Sequence, residues 1–124
     1  MEQGIPESLY KKHILELYKN PSNFGILKNP THHGTEYNSI CGDEITVNLI
    51  IKNRIVEDAK FSGSGCALSL VAASLLTSKI KGMNKKDIKK LNKKDIRKLF
   101  KTKMSSSRIK CMLLPLEAVK KALK

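Results

Sequence analysis

The sequence has no tryptophan, only six other aromatic residues, three cysteines without a Cys-x-x-Cys pair, and no apolar run long enough to span a bilayer. Each scarcity removes a class. An odd number of widely spaced cysteines is a poor disulfide framework, so a reducing, cytoplasmic setting is expected. The N-terminus, Met-Glu-Gln-Gly-Ile-Pro, lacks a basic region followed by an apolar one, so no secretory leader is expected. Its 124 residues suffice for one domain, 1–124, to bury a core unaided.

Acidic residues are also few, 11 against 24 basic ones, and the imbalance is local. Residues 1–78 hold 7 Lys and Arg against 8 Asp and Glu, residues 79–110 hold 14 against 2, and residues 111–124 hold 3 against 1. A basic stripe can meet nucleic acid, anionic lipid or an acidic protein surface. Here a solvated helix face is the leading reading. The stripe has one aromatic, Phe100, on which a base could stack, and its lysines lack the bidentate geometry of arginine. A nucleic-acid-binding module over residues 79–103 is the weaker alternative, and an acidic protein surface is the preferred partner of any such stripe.

Residues 7–19 place Leu9, Tyr10, Ile14, Leu17 and Tyr18 at helical spacing behind Pro6, and Asn20-Pro21 ends that helix. An irregular stretch rich in Asn, Pro and Gly follows through Gly34 and contains His32 and His33. Alternation at Ile45, Val47, Leu49 and Ile51 predicts a half-buried strand. Lys52-Asn53-Arg54 reverses it into a second strand, Ile55–Phe61, with a third around Glu36–Ile40. From Cys66 the chain is apolar on most faces until Gly82, so that helix must be buried. Residues 84–91 and 92–101 repeat one unit, Asn-Lys-Lys-Asp-Ile-Lys/Arg-Lys-Leu, and predict two short helices capped by Asn84 and Asn92. Ser105–Ser107 offer caps to a last helix, Arg108–Leu123, which Pro115 should bend beside Cys111.

The chemistry concentrates between Cys41 and Cys66. Cys41-Gly42-Asp43 sets a thiol and a carboxylate two residues apart, a spacing that on extended backbone directs both to one site. Cys66 follows Gly63-Ser64-Gly65 at a helix start, where the helix dipole favours a thiolate, as a metal ligand, a nucleophile or a persulfide carrier would need. Free cysteines are more often small buried hydrophobes. The flanking glycines weigh against that for Cys41 and Cys66, whereas for Cys111, inside an apolar run, spacing alone leaves it ahead. His32 and His33 are rival ligands, although adjacent histidines in a polar loop are usually solvated.

These residues resemble the IscU/SufU/NifU-type scaffolds of iron–sulfur cluster assembly. The resemblance is carried by Tyr18-x-Asn20-Pro21-x-Asn23-x-Gly25, by Cys41-Gly42-Asp43, by Ile55–Phe61 running into Gly63-x-Gly65-Cys66, and by Arg108-Ile109-Lys110-Cys111. It implies an α/β (α+β) fold with a small three-stranded antiparallel sheet and helices on one face. It further implies that Cys41, Asp43, Cys66 and Cys111 meet at one site. That site would take sulfur from a cysteine desulfurase, with Cys111 as the accepting thiolate. It would hold iron as a transient [2Fe–2S] cluster, or a zinc ion, and pass the product to accepting proteins. No turnover enzyme is implied beyond a SufU-like zinc-dependent sulfurtransferase role, and no membrane partner.

The chain departs from IscU-type members in Lys110, where many have histidine, and in Lys103–Ser107, where they carry the chaperone-binding Leu-Pro-Pro-Val-Lys. Arg108–Cys111 is similar to the SufU branch, without that branch's usual insertion between the second and third cysteines. A zinc site that only stabilises the fold is the remaining alternative.

Overall fold

Two ten-residue strands joined by a tight reversal, with one register shift between Ile50 and Ile51, set the frame. β2 (Asp43–Lys52) and β3 (Ile55–Ser64) pair antiparallel through a turn in which Asn53 and Arg54 take φ of 52° and 67°. Two consecutive positive φ values match the right-handed twist of a hairpin. β1 (His32–Asn38) adds to the other edge of β2, giving a three-stranded antiparallel sheet in the order β1-β2-β3. The computed structural model describes residues 7–40, 42–100 and 106–124, with side chains described from residue 12 in α1 and from residue 109 in α5. Pro6, Cys41 and Ser105, each given a role by the sequence, lie outside the described residues.

Five helices complete the chain: α1 (Glu7–Lys19), α2 (Ala67–Ile80), α3 (Lys85–Lys89), α4 (Lys93–Phe100) and α5 (Ser106–Ala122). α2 and α5 lie against the sheet and against each other, on the face where Ile45, Val47 and Leu49 of β2 are fully buried. Their apolar side chains, with Ala59 and Phe61 of β3, make the core. The alternation read along Ile45–Ile51 is therefore the inward face of the central strand. α1 packs on α2 through Ile14 and Leu17, while Tyr18 stays 45% exposed instead of joining the core.

The capping residues explain the boundaries after α2. The side chain of Asn84 accepts the Lys86 N–H at 2.8 Å, and that of Asn92 accepts the Lys94 N–H at 2.9 Å. Asp95 reciprocates by accepting the Asn92 N–H at 2.8 Å, a box that satisfies two otherwise unpaired donors. Of the apolar residues of both repeats, Ile88, Leu91 and Ile96 are buried and Leu99 is partly buried against the core, as Phe100 after it is fully, while Lys86, Lys89, Lys90, Lys93, Lys94, Arg97 and Lys98 are exposed. With Phe100 fully covered, the stripe offers no aromatic surface to a base.

The motif after α1 is structural. Asn23 has φ 65°, and its amide donates to Thr77 Oγ1 and Ser78 Oγ at 3.0 and 2.9 Å, tying the loop to the last turn of α2. The Phe61 N–H donates to the Asn23 carbonyl and the Gly25 N–H to the Phe61 carbonyl, so this loop occupies the open edge of β3.

β1 begins earlier than the sequence predicts, taking in His32 and His33, and ends at Asn38, short of Ile40. Its helix-side positions lack the apolar alternation that marks β2. One of them is Gly34, where an added methyl would stand 2.4 Å from the Ala118 carbonyl oxygen and 2.6 Å from the Ala122 nitrogen. The bare backbone at Gly34, against two alanines one turn apart, lets α5 rest directly on the strand. Gly34→Ala should therefore destabilise the chain by about 1–3 kcal/mol through overpacking against backbone. Urea unfolding of the two proteins measures this, and equal midpoints would refute the close contact.

Candidate metal centre

The same contact aims Cys111. From Gly34 the strand runs four residues, about 13 Å, to Asn38, which pairs with Asp43. From Ala118 the helix runs back seven residues, two turns and about 10 Å, to Cys111. Helix and strand travel side by side, so the third thiol arrives at the start of β2. Cys66, the N-cap of α2, arrives there from the end of β3, where Ser64 pairs with Glu44.

The Asp43 carboxylate joins the elements. It is 2% exposed; its Oδ1 accepts the Cys66 N–H at 3.2 Å and its Oδ2 accepts the Ser69 hydroxyl at 2.7 Å. Cys66 makes no side-chain cap, so a carboxylate from another element serves the helix start, where unpaired N–H groups and the dipole favour negative charge. The approach depends on Gly65, at which a methyl would lie 2.9 Å from Asp43 Cγ.

One ligand atom each from Asp43, Cys66 and Cys111 lie within 4.8 Å of one another. Sulfurs about 3.8 Å apart would suit a tetrahedral zinc with Zn–S bonds near 2.3 Å, so small side-chain movements suffice. The donor set, two thiols and a carboxylate, suits zinc or iron. Burial is graded: Asp43 and Cys111 are buried, and Cys66 is partly exposed. Cys41 lies outside the described residues, but Gly42 beside it turns with φ 77° and donates to the Asn38 carbonyl at 2.7 Å.

His32 and His33 are not part of this cluster. They lie at the opposite end of β1, six and five residues, about 20 and 17 Å, from Asn38. Burial first, and then the Lys85 cation, hold His32 below the ordinary histidine pKa. The sequence reading missed Ser69, a fully buried hydroxyl that also reaches the Cys111 carbonyl at 3.1 Å and Cys66 Sγ at 3.6 Å. Its signal was available in the Cys66-x-x-Ser69 spacing, which places both on one face of the first helical turn.

A groove of about 350 Å³ opens beside this end of α5, between Tyr37, Ile40, Lys110 and Leu113, with Glu36 and Glu117 also lining it. Burial, and then the neighbouring Glu36, raise the Glu117 carboxyl above its usual pKa.

Residues 9–124 match the family model described as NifU-like N terminal domain. The chain belongs to that family. Its relatives include the zinc-dependent sulfurtransferase SufU of Bacillus subtilis, 44% identical over 82 residues that cover 66% of this chain and 53% of that protein. The iron–sulfur cluster assembly scaffold protein IscU of Thermotoga maritima is 40% identical over 64% of this chain and 56% of its own. The chain thus spans about half the length of these relatives, whereas the match to the iron–sulfur cluster assembly enzyme IscU of Drosophila melanogaster, 32% identical, covers 98% of this chain and 80% of that one.

Among solved structures, a SUF-system protein from Fervidobacterium islandicum superposes with a TM-score of 0.79 at 24% identity, covering 96% of this chain and 100% of that chain. The N-terminal part of a NifU-like protein from Brucella abortus gives 0.72 at 22%, covering 94% and 93%. At these identities the likeness is one of fold, and it confirms the three-stranded sheet with helices. Among the described residues, no helix is long and apolar enough to cross a membrane.

Within this NifU-like frame, Gly65→Ala should displace Asp43 and weaken zinc binding roughly 10–100-fold, the usual cost of disturbing groups around a metal's ligands. Competition with a chromophoric chelator measures it; unchanged affinity would refute the role given to Gly65.

Proposed function

We propose that this chain is a scaffold and sulfur acceptor for iron–sulfur cluster assembly, working in the cytoplasm. It takes sulfur from a cysteine desulfurase and holds either zinc or a nascent [2Fe–2S] cluster at Cys41, Asp43, Cys66 and Cys111. The cluster is cargo, to be passed to accepting proteins. The observation that carries this reading is the convergence of Asp43, Cys66 and Cys111, from three separate elements, within 4.8 Å.

Sulfur transfer needs little from the protein beyond a positioned thiolate. Cys111 sulfur attacks the outer sulfur of the desulfurase persulfide, the donor's S–S bond breaks, and the donor cysteine leaves as a thiolate. Cys111 then carries the persulfide, with no net oxidation. The groove beside Lys110 supports the approach of a partner's chain to this end of α5. A bound zinc would hold the thiols deprotonated and mutually oriented. The names of the Bacillus and Thermotoga relatives support both halves of the role.

The burial of Asp43 and Cys111 favours one competing reading, a zinc site that only stabilises the fold. Incubation with a cysteine desulfurase and free cysteine separates the two by mass spectrometry. A persulfide on Cys111, absent in Cys111→Ser, is expected; a metal-loaded chain that never acquires one would leave only the structural role.

Anaerobic purification followed by metal and acid-labile sulfide analysis should show Cys66→Ser losing its metal. Asp43→Ala should give weaker zinc retention or a longer-lived cluster. If both variants match the wild type, this site is not where metal is held.

A further inference from the structure

Ser69 has a single proton and, besides Cys66 Sγ at 3.6 Å, two oxygen acceptors within reach. Its Oγ lies 2.7 Å from Asp43 Oδ2 and 3.1 Å from the Cys111 carbonyl oxygen, and a serine hydroxyl donates once. The second acceptor follows from the sequence of α5. In a regular helix the N–H of residue 115 would donate to the carbonyl of residue 111, and Pro115 has no N–H to give. Ser69, from the facing helix, donates where the proline cannot. It is fully buried, as Asp43 nearly is, so water cannot easily replace either partner.

We propose that Ser69 is a positioning residue whose hydroxyl proton alternates between Asp43 and the Cys111 carbonyl, allowing the carboxylate to turn toward a bound ion and back. This rests on the metal-holding role proposed above for the same site. While Asp43 caps α2, the proton points to Oδ2. When Oδ2 turns to an ion, the hydroxyl rotates to the Cys111 carbonyl and keeps a partner. No proton changes owner, and only hydrogen bonds are exchanged. A carboxylate with one rigid buried donor would orphan that donor on turning; the proline four residues beyond Cys111 provides the alternative. Pro115 thus acts on the site through a carbonyl, without touching the ion.

The test uses the full chain as wild type, Ser69→Ala, Pro115→Ala and the double variant. Zinc affinity is read by chelator competition, ligation by the visible spectrum of the cobalt(II)-loaded protein against that of Asp43→Ala, and the Ser69–Pro115 link by urea unfolding of the zinc-saturated chain, the state in which the hydroxyl serves the Cys111 carbonyl. Ser69→Ala should weaken zinc roughly 10–100-fold and move the cobalt spectrum toward that of Asp43→Ala, a change that loss of stability alone would not produce. Pro115→Ala restores a helical donor to the Cys111 carbonyl, so the unfolding midpoint should fall less on removing Ser69 in that background than in the wild type.

Zinc affinity of Ser69→Ala within twofold of wild type with an unchanged cobalt spectrum would overturn the proposal, as would additive effects in the zinc-saturated cycle. A wild-type chain that binds no zinc and no cobalt would sink the metal-holding reading, and the turning of Asp43 with it. Retained wild-type metal binding beside an unaffected Ser69→Ala would sink the serine's role alone.

Discussion

A buried carboxylate at the start of a buried helix is the constraint on which this end of the molecule depends. Asp43 at 2% exposure would be costly without hydrogen-bond donors, and the first turn of α2 would be costly without an acceptor. Each resolves the other's problem through the Cys66 N–H and the Ser69 hydroxyl. The pairing fixes the first residue of β2 against the end of β3 and the start of α2, so a carboxylate and a thiol of the candidate site are placed by a bond that stability itself requires. A change that disturbs the bond disturbs folding and ligand geometry together.

The third thiol depends on different physics. Cys111 is carried by α5, whose seat on the sheet is set by Gly34 beneath Ala118 and Ala122. At this point of the seam the fit is one of shape, a strand without a side chain against a helix with two methyls. Helix and strand together act as a ruler from Gly34 to the site, about two turns on one side and four residues on the other. The Lys121 to Glu36 ion pair at 3.0 Å lies along this seam, but it is too exposed to set the packing.

Legibility in the sequence follows this division. β2 and the hairpin were readable because the central strand buries one face and shows period two, and α3 and α4 because Asn84 and Asn92 cap them by local bonds. β1 was misplaced because it is an edge strand whose helix-facing positions include Gly34 and Glu36, leaving no apolar alternation. Asp43 was legible as a candidate ligand from the i and i+2 spacing with Cys41, which lies outside the described residues. Its bonds to Cys66 and Ser69 bridge more than twenty positions, which no local pattern records. For Cys111, spacing favoured an ordinary core cysteine; only the family resemblance pointed to a ligand, and the packing of α5 supplies the physical reason that it reaches Asp43.

Pro115 shows why local rules can be right about cause and incomplete about consequence. A proline inside α5 removes the bond to the Cys111 carbonyl, and a bend was the expected relief. The helix continues through it, Ser106–Ala122, and the carbonyl receives a hydroxyl from the neighbouring helix. The defect in one helix thereby becomes a tertiary contact, made at the residue whose side chain carries a thiol of the site. Because that hydroxyl also serves Asp43, three elements of the candidate site converge on one oxygen in an apolar interior, where hydrogen bonds are strong and unmade ones are costly. Geometry of this kind is held by satisfaction of buried groups more than by apolar area, which explains why a small serine can matter more to the site than the larger side chains around it.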